Sequence, residues 1–366
     1  MNKEETIKYL STDPVAPGET VLDVLEARGM SQIELAKRLD RPAKTVNGII
    51  KGKVALTPET ALQLEHVFGI PANFWNNLES QYQETKLRIE SQKKYKKFIS
   101  QSKIYPYHEM AKYGWLDDVN NAIKRVENLL KYFGVTHFDN IIEEAGLKSA
   151  FRISDKHKYS MPAVVSWLRK GSIDGEQIKT DSFEEEKVKE LLPKLREMTL
   201  ISEPNELMAK LQEELSKCGL AFVVTRNLKN APISGATRWV SSDKAIIQMS
   251  IRWNWADIFW FSLFHELGHI MLDSKKDFNV DLVNNKVNNS KESEADIFAR
   301  DSLIPLDKFQ ELKKRISDNN FSSIYELITS FARQVGIHPG IVIGRLQYEK
   351  IIPNNMNRLR VRFNWV

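Results

Sequence analysis

Between Ile251 and Leu272 the chain runs through its most apolar stretch, and no proline interrupts it. Such a run forms either a membrane span or a helix inside a protein. Arg252, Asn254, Asp257, His265, Glu266 and His269 lie within it, and so many polar groups are costly in lipid. No membrane span is therefore expected. The segment ADIFWFSLFHELGHIMLD reads instead as one long helix, with Asn254 as its cap and Asp257 near its first turn.

The polar residues of this helix define its chemistry. Histidines at i and i+4 lie about 40° apart and one turn along the axis, so both imidazoles reach one ion at about 2.0–2.1 Å. His265 and His269 have that spacing, and Glu266 stands beside them. A carboxylate there is placed to take a proton from metal-activated water and pass it to a leaving amine. With 7 His and 48 acidic residues in the chain, about 0.02 His-acid-x-x-His matches are expected by chance. Cys218 is the one cysteine, so an internal disulfide and a cysteine-based zinc cluster are both excluded. A metal site here must draw on His, Asp and Glu.

A third protein ligand is expected from the next helical segment, NSKESEADIFARDSLIP. Glu292 and Asp296 share a face at i and i+4. In the simplest arrangement Glu292 binds the metal and Asp296 orients a liganding histidine through its other ring nitrogen. Glu294 is the rival ligand. It points nearly opposite, beside Ile297 and Phe298, whereas Glu292 shares its side with Ala295 and Ala299, small residues that permit close approach. Zinc suits two imidazoles and a carboxylate around an open position better than manganese does. Arg238, Tyr325 and His338 are polar candidates for stabilising an oxyanion, and none is assigned that role.

The motifs HELGH and ESEADIFARDSLIP resemble those of the ImmA/IrrE family of metallopeptidases, with matches at Glu292, Ala295, Asp296, Phe298, Ala299 and Pro305. SGATRWV and FWFSLFHELGHIML extend the similarity, which covers about residues 200–366. Ser302-Leu303-Ile304-Pro305 departs slightly from the family's usual Leu-Leu-Met-Pro. The resemblance implies His265, His269 and Glu292 as metal ligands, Glu266 as catalytic acid and base, and a repressor, antitoxin or toxin as protein substrate.

The rest of the chain is organised around this centre. A length of 366 residues implies two or three domains, and 42% hydrophobic with 28% charged residues is an ordinary globular composition. Short β-rich runs, GLAFVVTRN, ISGATRWV and KAIIQMSIR, precede the histidine helix, with SSDK turning between the last two. Residues 106–200 read as helical, with Trp115, Phe133, Phe138, Phe151 and Trp167 as core candidates, and with His108, His137 and His157 isolated. ELITSFARQVGIHPGIVIGRLQYEK reads as a helical pair about Gly336, in which Val342, Ile343 and Leu346 pack. The fold class is therefore α+β and mainly helical. It comprises a helix-turn-helix domain (1–80), a basic linker or helix (81–105), a helical region (106–200) and a zincin-like domain with a small sheet and active-site helix (201–366).

From Thr20 to Phe68 apolar residues recur in four short helical blocks punctuated by Gly29, Pro42, Gly52 and Pro58. Ser31 with Glu34 forms a capping box, Pro42 suits a first helical turn, and Thr57 caps the fourth block. Two short helices joined by about four residues make a helix-turn-helix. Its second helix carries Lys44, Thr45, Asn47 and Lys51 away from Val46 and Ile50. Asn47 can read an adenine edge, while Lys44, Lys51 and Lys53 hold phosphates. Residues 1–80 hold 9 basic and 11 acidic residues, whereas 41–57 hold Arg41, Lys44, Lys51 and Lys53 and no acid. A small bundle with a solvated basic face is the alternative. Residues 81–105 gather a further net +5, read first as a solvated helix face.

SQIELAKRLDRPAKTVNGIIKGKVALTPETALQLEHVFGIPANFW resembles the HigA-type antitoxin helix-turn-helix. That resemblance implies a homodimer on double-stranded operator DNA. The amino terminus MNKEETIKYLSTDP lacks the apolar core of a secretory signal, so a cytoplasmic location is expected. The sequence thus points to a DNA-binding regulator with a zinc endopeptidase domain. The other reading is a non-catalytic antitoxin or repressor whose peptidase-like domain senses a ligand or binds a toxin.

Overall fold

The computed structural model describes residues 14–144, 159–251, 254–273, 279–282, 290–318 and 321–363. The amino-terminal extension before Pro14, Phe151 and His157 lie outside the described residues, as does Arg252. The chain divides into two compact units, residues 1–100 and 101–366.

In the first unit, helices α1 (Pro17–Ala27), α2 (Gln32–Arg38), α3 (Ala43–Ile50) and α4 (Pro58–Phe68) pack their apolar stripes together, and α5 (Ala72–Ser102) follows. Val21, Leu25, Leu35, Val46, Ile49, Leu64 and Trp75 are the centre of that core. The Ser31 side chain accepts the Glu34 N–H at 3.1 Å, while the Glu34 carboxylate pairs with Arg38 along the helix. Thr57 caps α4 through the Thr60 N–H. Pro42 is the residue before the first turn of α3 rather than within it. The basic run from residue 81 continues α5 as helix.

The second unit begins with α6 (Tyr107–Lys112), α7 (Ala122–Phe133), a 3-10 turn at Phe138–Asn140 and α8 (Ile141–Glu144). Next come α9 (Met161–Gln177), α10 (Glu185–Met198) and α11 (Pro204–Ser216). Phe133, Phe138 and Trp167 are buried, but Trp115 is only half-buried, against a tilted ring pair with Tyr113. His108 and His137 each have an aspartate neighbour, Asp118 and Asp139.

The three expected strands form as β1 (Leu220–Thr225), β2 (Ile233–Ser241) and β3 (Lys244–Ser250), and β4 (Asn279–Leu282) joins them. The order is β1-β3-β2-β4, with β1 parallel to β3 and β2 antiparallel to both β3 and β4. Side chains alternate between two buried faces, as the period of two requires. Leu220, Phe222, Ala245, Ile247 and Met249 enter the main core. Ala221, Val223 and Ile246 form a second cluster on the other face. Helix α9 covers that second face closely, because a Cβ on Gly171 or Gly175 would collide with Gln248 or Ile246. Buried Gln248 in turn donates to the Trp167 carbonyl and Thr225 hydroxyl.

The main core is closed by α12 (Ala256–Leu272), α13 (Ser290–Leu303), α14 (Leu306–Ser317), α15 (Ile324–Val335) and α16 (Pro339–Tyr348). Val342, Ile343 and Leu346 are fully buried in it. Asn254 does not cap α12; Trp255 occupies that position without a side-chain cap. The segment after α16 supplies the missing partners. The Ala256 N–H donates to the Val361 carbonyl at 2.9 Å, and Phe363 N–H donates to Asn254. Arg360 grips Asp257 with two hydrogen bonds, at 2.9 and 2.8 Å. Among the described residues no helix is long and apolar enough to cross a membrane.

Candidate metal centre and nucleic-acid interface

Helix α12 is apolar nearly all round, so it lies inside the molecule and its few polar side chains must find partners there. Phe259, Trp260, Leu263, Phe264 and Leu267 fill the core. His265, Glu266 and His269 are also buried, at 5%, 0% and 3% exposure. Against this face α13 approaches closely: a Cβ on Gly268 would stand 3.0 Å from the Ala295 Cα. Ala295 and Ala299 are themselves buried.

His265, His269 and Glu292 present one ligand atom each within a common radius, all within 4.8 Å of one another. The two Nε2 atoms are 3.0 Å apart. Glu292 Oε2 lies 3.3 Å from His265 Nε2, and Oε1 lies 3.7 Å from His269 Nε2. The opposite ring nitrogens are tied to carboxylates, His265 Nδ1 to Asp296 at 2.9 Å and His269 Nδ1 to Asp273 at 2.7 Å. An ionised carboxylate only accepts, so each Nδ1 carries the proton and each neutral imidazole turns its Nε2 lone pair inward. Two lone pairs and a carboxylate facing one point suit a divalent cation, and the two-imidazole, one-carboxylate set suits zinc.

Glu266 lies on the sheet side of the cluster. A Cβ on Gly235 of β2 would come within 2.3 Å of Glu266 Oε1, so the glycine leaves the room that the carboxylate occupies. Glu294 is exposed and outside the cluster. Sequence reasoning gave no role to Asp273 or Gly235. The i, i+4 spacing of His269 and Asp273 was a readable signal for the first, whereas Gly235 meets Glu266 only through tertiary packing.

The three oxyanion candidates are otherwise engaged. Arg238 pairs with Glu176 of α9 at 2.6 Å. Tyr325 lies beneath the Arg358 guanidinium. His338 caps α16, its Nδ1 accepting the Gly340 N–H at 3.0 Å, and burial lowers its pKa.

In the first unit, α2 and α3 form the two helices of the expected helix-turn-helix. Val46 and Ile49 face the core, and Lys44, Lys51 and Lys53 are exposed without an ion pair among the described residues. Thr45 is half-buried, and Asn47 donates to the Gln32 side chain at 3.3 Å. Arg41 is held by Glu59 at 2.9 Å and by Gln63. The local positive potential therefore rests on the three lysines rather than on four cations.

Residues 22–75 match the helix-turn-helix family, and residues 256–335 match the IrrE N-terminal-like domain of peptidase family M78. An uncharacterized HTH-type transcriptional regulator of Escherichia coli K12, YddM, is 33% identical over 64 residues, which are 18% of this chain and 68% of that protein. Two solved structures are similar to the amino-terminal part. An addiction module antidote protein of the HigA family from Coxiella burnetii is 35% identical, over 23% of this chain and 92% of that one, with a TM-score of 0.22. The Pseudomonas aeruginosa antitoxin HigA, solved with the higBA promoter, is 31% identical over 22% and 90%, also with a TM-score of 0.22.

Proposed function

Because this chain belongs to the helix-turn-helix family through residues 22–75 and carries an IrrE-like peptidase-family domain at 256–335, we propose that it is a DNA-binding regulator whose carboxyl-terminal unit hydrolyses a peptide bond in a repressor, antitoxin or toxin. The observation that carries the catalytic part is the convergence of three ligand atoms with both Nδ1 protons held by carboxylates. Here His265, His269 and Glu292 hold zinc, with manganese second in fit. A divalent ion in that position supplies a Lewis acid that polarises the scissile carbonyl and acidifies water. Glu266 removes the proton from the attacking water and delivers it to the leaving amine nitrogen. Asp296 and Asp273 keep both imidazoles in the tautomer that faces the centre. The Glu292 and Asp296 side chains, each 38% exposed, mark the open side from which a peptide arrives.

For the amino-terminal unit, Lys44, Lys51 and Lys53 contact phosphates and Thr45 and Asn47 face bases, on an inverted operator bound by a homodimer. The test is Glu266→Gln in the full chain. Zinc content and DNA binding persist, and cleavage of the cognate protein vanishes; continued cleavage refutes the mechanism. A second reading, a non-catalytic sensor or toxin-binding antitoxin, is favoured by the complete burial of Glu266. Zinc-loaded protein inert toward every co-encoded repressor, antitoxin and toxin would establish it.

A further inference from the structure

A cavity of about 170 Å³ lies between α12, α13 and α16, beyond the histidine cluster along the same pair of helices. Its walls are apolar, with Ile258 and Phe261 from α12, Leu303 and Ile304 from the end of α13, and Ile341 from α16. An engineered apolar cavity of about 150 Å³ holds benzene, so this one has room for a six-membered ring or a short branched chain.

Two guanidinium groups border it. The Arg345 side chain is 10% exposed, and its Nε is bound to Glu349 at 2.7 Å. Its Nη1, sealed from solvent, has no hydrogen-bond partner among the described residues. Arg300 uses its Nε on the Asp296 carbonyl at 3.2 Å and makes no ion pair among the described residues. The acid in the wall, Asp257, is already neutralised by the two bonds from Arg360. With Glu349 set against Arg345 and Lys313, and Arg360 against Asp257, the guanidinium of Arg300 has no acidic partner among the described residues. A buried guanidinium N–H without an acceptor is costly, and a carboxylate is the group that satisfies it best.

We propose that this cavity is a binding site for a small organic anion, a single carboxylate on a compact apolar body, with the carboxylate held by Arg300 and Arg345 and the body among the isoleucines. The site is separate from the metal ligands yet shares their scaffold. Phe261 is one turn before His265 on α12, and Arg300 is one turn after Asp296, which holds His265. The site stands whether or not the metal centre hydrolyses a peptide.

Benzoate and its neutral isostere benzamide are the probes, titrated into the full-length protein with and without zinc. Methyl-labelled isoleucine and leucine report the location by NMR. Benzoate binds in the millimolar range or tighter and shifts the methyl signals of Ile258, Leu303, Ile304 and Ile341 in both zinc states. It binds at least about tenfold more tightly than benzamide, because the guanidinium contacts need a charge. Arg345→Met and Arg300→Met each erase most of that preference, and Ile258→Phe, which adds bulk to the apolar wall, weakens both probes. Should Arg345→Met fail to fold, Arg300→Met and Ile258→Phe carry the test alone. The proposal is overturned by equal affinity for the two probes, by shifts confined to the histidine cluster and dependent on zinc, or by no binding of benzoate at millimolar concentration.

Discussion

Removing the Asp273 carboxylate tests the inward-facing tautomer most directly. Asp273 and His269 side chains are 5% and 2% exposed and 2.7 Å apart, whereas Asp296, which serves His265, is 38% exposed. A buried charge-assisted hydrogen bond is worth about 1.5–3 kcal/mol, and about 1.4 kcal/mol is a factor of ten. Loss of such a carboxylate behind a liganding histidine costs about 10–100-fold in metal affinity. Asp273→Asn keeps an oxygen to accept the Nδ1 proton but not the charge, so about tenfold weaker zinc binding is expected. Asp273→Ala removes both and moves toward about a hundredfold. Asp296→Ala costs less than about tenfold, because solvent screens the exposed pair. Competition against a chromophoric chelator in the full chain measures all three. If Asp273→Ala binds zinc like the parent, or if Asp296→Ala loses more than Asp273→Ala, the inward lone pair of His269 is not what holds the metal.

Gly235→Ala places a methyl group 2.3 Å from Glu266 Oε1; a loss of about 1–3 kcal/mol in urea unfolding is expected, with zinc content intact and cleavage sharply reduced. His338 is held below its ordinary 6.5 by burial, so the unfolded chain takes up its proton first. Stability of the second unit therefore falls as pH drops below about 6.5, and His338→Asn flattens that slope in pH-dependent urea titrations. Lys51→Ala lowers operator affinity at every sequence alike and reduces the salt slope by about 0.9, the share of one neutralised phosphate, as measured by fluorescence anisotropy across a salt series.

Much of the centre was readable because its spacing is local. His265 and His269 need only the helical period, and Glu292 with Asp296 needs only the face that Ala295 and Ala299 share. The three longer strands announced themselves by β-branched runs, and Ser31 and Thr57 by their position ahead of apolar blocks. What escaped depends on contacts distant in sequence. Asn254 has the chemistry of a cap, but the backbone of Val361 takes the Ala256 N–H. Arg41 lies in a window free of acids, yet Glu59 reaches it from α4. Four residues at Asn279–Leu282 are too few to show alternation, and they become a strand only because β2 offers its edge. The place of α9 over the second face of the sheet follows from Gly171 and Gly175, whose purpose is invisible until Gln248 and Ile246 are set against them.

The helix bearing both histidines is fastened at its first turn by Arg360, 103 positions downstream of Asp257. A chain nicked just after α16 would therefore retain every motif residue while losing the clasp that aligns them. Negative cleavage results mean little unless intact mass is recorded on the same sample, and an affinity tag belongs at the opposite terminus, away from that fastening.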